Sequence, residues 1–197
     1  MSNRITSQSL DQIFLAARTH NVWLDTDVPD ALLHELVDIV KMGPTSANCL
    51  PARFLFVKSK EAKQRLEPHL SGNNREKSMK APVCAIIGHD LEFHRHMSKT
   101  FAHNKSMAEG FAKDEELARE TAFRNGTLQG AYLILAARAL GLDTGPMSGF
   151  DNEAVDKEFF AGTSIRSNFL CNLGYGDATK LFPRLPRLEF AEMATIL

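Results

Sequence analysis

One long helical stretch constrains this chain more than any other feature. From about Asp114 to Leu140 the residues follow a single helical pattern, and its second half, Gly130–Leu142, reads "GAYLILAARALGL", apolar nearly all round. A helix without a polar face is buried on every side. The chain has 197 residues, the size of one domain, and one domain of that size does not enclose so long a helix alone. The pattern therefore predicts a single domain over residues 1–197 in which a second subunit covers part of the central helix.

The other elements are arranged around that helix. Ser9-Leu10-Asp11-Gln12 has the form of a capping box, and Leu10, Ile13, Phe14 and Ala17 then recur at helical spacing to about Arg18. A second helix starts near Asp30, with Leu32, Leu33, Leu36, Ile39 and Val40 as its apolar face, and Gly43-Pro44 stops it. Phe54–Lys58, Val83–Ile87 and "SNFLCNLGYG" read as strands, "SKEAKQRLEPHL" and "NEAVDKEFF" as short helices, and the tail "FPRLPRLEF" as extended. The segment from Asp90 to Lys113, polar and rich in His, reads as helix fragments on a surface excursion. Few, short strands at unequal spacing make the fold α+β, with a small mixed or antiparallel sheet, rather than a regular βαβ array.

Lys and Arg number 23 against 24 Asp and Glu, so no net field draws the chain to nucleic acid or a membrane surface, and an anionic ligand must be caught by local cations. The 3 cysteines, Cys49, Cys84 and Cys171, lack CxxC spacing, which fits a reducing compartment. No run is long enough to span a membrane, and the expected location is the cytoplasm. Neither GxGxxG nor GxxxxGK[ST] occurs, which excludes the usual dinucleotide and P-loop phosphate sites.

Five features are candidates for chemistry. The stretch Gly43–Phe54, "GPTSANCLPARF", carries more short polar side chains than a connection needs; they satisfy local turns or face a planar ligand rich in hydrogen-bonding groups. "GLDTGPMSGFD", Gly141–Asp151, is either a helix stop or a place where backbone comes close to a flat ring. Arg18, Arg184 and Arg187 are either scattered surface charges or phosphate ligands. His89, His94, His96 and His103 cluster without the spacing or carboxylate partner of a zinc site, so no metal is expected. Cys49 lacks a recognisable partner histidine and reads as a buried thiol.

In order, "GPTSANCLPARFLFV", the long helix, "GLDTGPMSGFD" and "LGYGDATKLFPRLPRLEF" resemble the FMN-dependent nitroreductase family over nearly the whole chain. "ARTHNVW" at Ala17–Trp23 and "ETAFRN" at Glu120–Asn125 are most similar to the branch described as malonic semialdehyde reductases of the Rut pyrimidine-degradation pathway. The resemblance implies an intertwined homodimer with FMN bound between subunits, and NADH or NADPH as hydride donor. It implies phosphate contacts from Arg18, from His20 where the family has Ser, and from Arg187. Val22 and Leu185 stand where relatives carry further cations. It places Ser46 and Asn48 against the flavin, Asn74 and Lys77 at its pyrimidine ring, and Pro146, Ser148 and Gly149 along the ring near N5. The catalytic step then needs no side-chain nucleophile. The implied acceptor is a small aldehyde acid, with Arg53 and Arg124 as candidates for its carboxylate. A general nitro, quinone or flavin reductase, and a non-enzymatic flavin-binding module, are the competing readings.

Overall fold

In the computed structural model, which describes residues 4–197, four strands form one antiparallel sheet: β1 (Ala52–Val57), β2 (Val83–Asp90), β3 (Asp143–Met147) and β4 (Ile165–Gly174). They lie in the order β1-β2-β4-β3. The central β2 is buried at every position, as expected of a strand covered on both faces. The helices in chain order are α1 (Ser7–Leu10), continued by a π-helical turn over Asp11–Leu15, then α2 (Asp30–Val40), α3 (Lys60–Leu66), α4 (Asn74–Lys80), α5 (Met97–Thr100), α6 (Lys105–Lys113), α7 (Glu115–Ala139), α8 (Asn152–Phe159) and α9 (Phe190–Met193).

One face of the sheet meets α2 and α7 through Leu36, Val40, Ile87, Leu133 and Leu173, and the other meets α3 and α8 through Leu66, Ile86, Val155 and Leu170. The predicted central helix forms α7. Its inner side carries Ala118, Ala122, Gly126 and Gly130 at four-residue spacing, all buried. A Cβ on Gly126 would lie 2.7 Å from that of His89, and one on Gly130 would lie 2.6 Å from the Phe169 ring. This stripe of small residues is what lets the helix lie so near the strands. Burial on every side, however, does not occur within one chain: Leu117, Phe123 and Leu128 remain 46%, 53% and 40% exposed.

Three further expectations are corrected. The strand β3 lies within the glycine-rich segment, where the sequence predicts a helix stop or a close approach of backbone to a flat ring, and no strand. The cap at the N-terminus is Thr6, whose hydroxyl accepts from Ser9 N at 3.1 Å. Gln12 does not close a capping box; its amide donates to Arg138 O and Ala139 O at 2.8 and 3.2 Å, satisfying carbonyls at the C-terminal end of α7. The 90–113 excursion is helical in fragments, as expected, but it is not merely a solvated segment. Phe93 and Met97 are buried in a third core cluster with Cys49, Ala118 and Ala122. All three cysteines are buried and free.

The close helix–sheet contact predicts opposite signs for two glycine substitutions. Alanine favours a helix over glycine by about 1 kcal/mol, and Gly110 on α6 has open space where a Cβ would stand. Gly110→Ala should therefore raise stability in denaturant unfolding. Gly130→Ala drives a methyl into the Phe169 ring and should lower it, overpacking costing about 1–3 kcal/mol.

Candidate functional site

The polar loop Gly43–Pro51 lies along α7 and is fastened to it by three side chains. Asn125, Gln129 and Tyr132 follow each other at spacings of four and three, so they share one face of the helix. Asn125 Oδ1 accepts from Ser46 N at 2.8 Å while its Nδ2 donates to Thr121 O at 2.9 Å. Gln129 Oε1 accepts from Ala52 N at 2.9 Å, and Tyr132 Oη donates to Pro44 O at 2.9 Å. Gly43 lies directly on the Tyr132 ring, where a Cβ would come within 2.3 Å. Between these anchors Ala47, Asn48 and Leu50 have φ of 50°, 48° and 42°, left-handed values that non-glycine residues hold only when their surroundings impose them. The Thr45 hydroxyl accepts from Leu50 N at 3.2 Å, so part of the loop's polar content is turn chemistry. Asn48 Nδ2 donates to Thr100 O at 2.8 Å, tying the loop to the excursion, while Ser46 stays exposed.

A second group assembles at the opposite edge of the sheet. Gly149 O accepts from Asn74 Nδ2 and from Ser71 N, both at 3.0 Å. A Cβ on Gly149 would stand 2.5 Å from Asn74 Nδ2, so a side chain there would displace the Asn74 amide. Lys77, one helical turn beyond Asn74 on α4, is half-buried and has no ion-pair partner among the described residues. Pro146 lies on the edge strand β3, where a residue without an N–H is tolerated, and Ser148 just beyond it is exposed.

The third group is cationic. Arg18, Arg138, Arg184 and Arg187 line one cavity of about 660 Å3 together with apolar residues such as Leu15 and Phe182, and no carboxylate lines it. The tail crosses back over the N-terminal segment to build it. Arg18 donates to Phe182 O, Arg184 Nη2 donates to Leu15 O and Ala17 O at 2.8 and 3.1 Å, and Arg187 Nη1 donates to Leu185 O at 2.9 Å. Arg138, in the last turn of α7, donates to Ile13 O at 3.0 Å, and its Nε is buried without a partner. Burial lowers the Arg138 pKa, and the charge of Arg184 lowers it further, while Cys171 and Asp143 act in the opposite sense. Arg138 was not legible as part of this group; it is the one charge in the last turns of an apolar helix.

His20 is not part of that cavity. It is 5% exposed, its Nε2 lies 3.3 Å from Asp143 Oδ1, and Gly176 packs against its ring. His20, expected as a phosphate donor, here turns Nε2 to Asp143 at the start of β3, and its Nδ1 is buried without a partner among the described residues. Thr19 bridges Thr144, so the arginine cavity lies near the start of β3 and the Asn74–Gly149 contact just past its end, about 17 Å along the strand. Arg18 and Arg187 share the cavity at one end, and Asn74, Lys77, Pro146, Ser148 and Gly149 gather toward the other. Ser46 and Asn48 do not join them, because β2 and β4 lie between, about 14 Å of sheet width. Arg53 is paired with Asp90 at 2.6 Å and Arg124 with Glu120, so neither is an uncommitted cation. A larger cavity of about 740 Å3 between the excursion and α7 carries charges of both signs, among them the pairs Glu92–Arg95 at 2.6 Å and Glu116–Arg119 at 3.7 Å, with Glu115 and Arg166 beside them. No group of three or more His, Cys, Asp or Glu among the described residues could hold a metal ion, and no described helix is long and apolar enough to cross a membrane.

A family profile described as Nitroreductase family matches residues 15–175. A protein of Stenotrophomonas maltophilia (strain K279a), provisionally named an NADH dehydrogenase/NAD(P)H nitroreductase, is 61% identical over 196 residues, covering 100% of both chains. Among solved structures, a provisionally assigned nitroreductase from Exiguobacterium sibiricum, in complex with FMN, superimposes with a TM-score of 0.84 at 16% identity and full coverage of both chains. A provisionally assigned NAD(P)H:FMN oxidoreductase from Staphylococcus epidermidis gives 0.81 at 18% identity, covering 100% of this chain and 98% of its own. At these identities the two structures attest the fold.

The fastening of the loop to α7 is open to a direct check. Asn125→Ala removes the acceptor for Ser46 N and should cost about 1–3 kcal/mol. Amide exchange at Ser46 and its neighbours should accelerate more than exchange in β2.

Proposed function

The chain belongs to the nitroreductase family, and from that premise we propose that it is an NAD(P)H oxidoreductase that binds FMN along β3 and reduces a small organic acceptor. The observation that carries this reading is the pairing of a carboxylate-free, four-arginine cavity near the start of β3 with the Asn74–Gly149 contact past its end. One end suits a phosphate and the other a flat ring with amide-like edges, joined by a strand of suitable length. The fit is specific in two respects. The buried, unpartnered Nε of Arg138 and its mutual repulsion with Arg184 are both relieved by an anion. The absence of a side chain at Gly149 lets the Asn74 amide seat against the backbone there, which sets Asn74 beside Ser148 and Pro146.

Arg18 and Arg187 would hold the phosphate. Arg138 and Arg184 would supply the charge that Val22 and Leu185 do not. Asn74 and Lys77 would face the pyrimidine edge, with Pro146, Ser148 and Gly149 along the ring. Ser46 and Asn48, at the other edge of the sheet, reach the same ligand only from a second copy of the chain, which makes the assembly a homodimer with shared sites. The exposed apolar residues of α7 and of the tail, among them Phe123, Leu128, Leu185, Leu188 and Phe190, are the surface such a partner would cover.

When bound, FMN supplies hydride transfer, from NADH or NADPH to the second substrate. The chain contributes binding, orientation and exclusion of water. Its thiols take no part as nucleophiles: burial pushes Cys84 and Cys171 up to about 12 and raises Cys49 as well. The sequence blocks favour malonic semialdehyde as acceptor. The engagement of Arg53 with Asp90 and of Arg124 with Glu120 removes the two obvious partners for its carboxylate, which favours an uncharged nitroaromatic or quinone as the second reading.

An anaerobic visible spectrum of the FMN-loaded protein tests this. The flavin bands should bleach with NADPH and return with the true acceptor, and kcat/KM for malonic semialdehyde against a nitroaromatic ranks the two. Failure of NADPH to bleach bound flavin would leave a binding module only. Failure to retain flavin at all would end the reading. Sedimentation should give a dimer with one FMN per chain. Arg138→Gln and Arg184→Gln should each weaken FMN by about tenfold, the loss of one charged hydrogen bond, with a flatter salt dependence.

A further inference from the structure

Asp90 closes β2 and is 6% exposed, yet it collects polar contacts from four separate segments. Its Oδ2 receives Arg53 Nη2 at 2.6 Å, and its Oδ1 receives Ser164 Oγ at 2.6 Å and Glu92 N at 2.9 Å. His96 Nε2 stands 4.0 Å from Oδ2, and Asp90 N donates to Pro51 O at 2.9 Å. Burial alone would raise the carboxyl; the Ser164 hydroxyl, the Glu92 amide and the charges of Arg53 and His96 hold it below the usual carboxylate range instead.

Arg53 is the informative partner, because its fork faces two ways. While Nη2 is on Asp90, Nη1 donates to Leu50 O at 3.1 Å and to Ala52 O at 2.9 Å. Leu50 is one of the three left-handed residues of the polar loop. Its conformation is held from the inside by the Thr45 hydroxyl and from the outside by Arg53. Asp90 thereby orients the guanidinium that fixes the loop, and the same carboxylate fixes the first turn of the excursion through Glu92. Nothing in the ion pair itself requires an arginine. The simultaneous grip on a carboxylate and two carbonyls does.

We propose that Asp90 and Arg53 form a positioning pair that sets the Ala47–Leu50 loop in the shape that meets the flavin, and at the same time registers the excursion against that loop. The inference rests on the FMN reading of the site. The pair touches no substrate and acts only through the loop.

Arg53→Lys is the discriminating variant. It keeps a cation against Asp90 but lacks the planar fork to reach Leu50 O at the same time. Cooperative unfolding should be retained, while amide exchange over residues 45–52 of the flavin-free protein rises at least tenfold. The FMN Kd, read by flavin fluorescence, should rise about tenfold, the value of one hydrogen bond to a charged group. The slope of log Kd against log salt should stay that of the wild type, since the arginine cavity is untouched. Asp90→Asn should show the same pattern more strongly. If it fails to fold, Arg53→Lys still carries the test. Wild-type exchange over residues 45–52 together with wild-type FMN affinity in Arg53→Lys would overturn the proposal, as would a loss of stability spread evenly over the chain. If the wild type itself binds no FMN, the cofactor reading fails, and the exchange comparison alone still decides whether the pair sets the loop.

Discussion

The close seat of α7 on the sheet is the constraint from which the site follows. Ala118, Ala122, Gly126 and Gly130 let the helix backbone approach His89 and Phe169 so closely that even a methyl would collide. Held at that distance, a helix of 25 residues is a rigid rod about 37 Å long, and it carries different tasks along its length. Its N-terminal turns close the third core cluster with Phe93 and Met97. Its middle presents Asn125, Gln129 and Tyr132 to the polar loop. Its last turn delivers Arg138 to the cationic cavity. A shift of the rod would therefore disturb both the loop and the arginine cavity, although the two lie far apart.

What could be read from the sequence divides along the range of the forces involved. The central helix, α2, and three of the four strands were legible because local apolar periodicity encodes them. The strand β3 was not, because "DTGPM" is locally turn chemistry and becomes a strand only by pairing with β4. His20 follows Arg18 by two positions and reads as its companion in the motif. What turns it inward is Asp143, more than a hundred residues away in the chain. The grouping of Arg138 and Arg184 with Arg18 and Arg187 was hidden for the same reason, since it depends on the tail returning across Leu15 and Ala17. The polar face of α7 did leave a signal, Asn125, Gln129 and Tyr132 at helical spacing, and it answers what the loop's own polar residues do not: the loop is held mainly from outside.

Electrostatics explains how a nearly neutral chain serves an anionic ligand. The charge is not a field but a local excess, four guanidinium groups with carbonyls rather than carboxylates as their internal partners. Carbonyl partners fix the geometry without cancelling the charge. An anion bound there would add charge-assisted hydrogen bonds to the same guanidinium groups, so affinity and native-state stability would be linked through the same atoms.

The division of the proposed site between opposite edges of one sheet gives the pairing of chains a functional meaning. In the proposed dimer the β3 edge of one chain would supply the phosphate end and the ring floor, and the loop beside β1 of the other would supply Ser46 and Asn48. Arg53 bonds the loop and Asp90 within its own chain, so in the proposed dimer each chain would shape a contact for the ligand that its partner holds. With sites shared in this way, cofactor binding would stabilise the associated state, and association would complete the site. Each equilibrium raises the apparent strength of the other, and neither can be measured in isolation from the concentration of the chain.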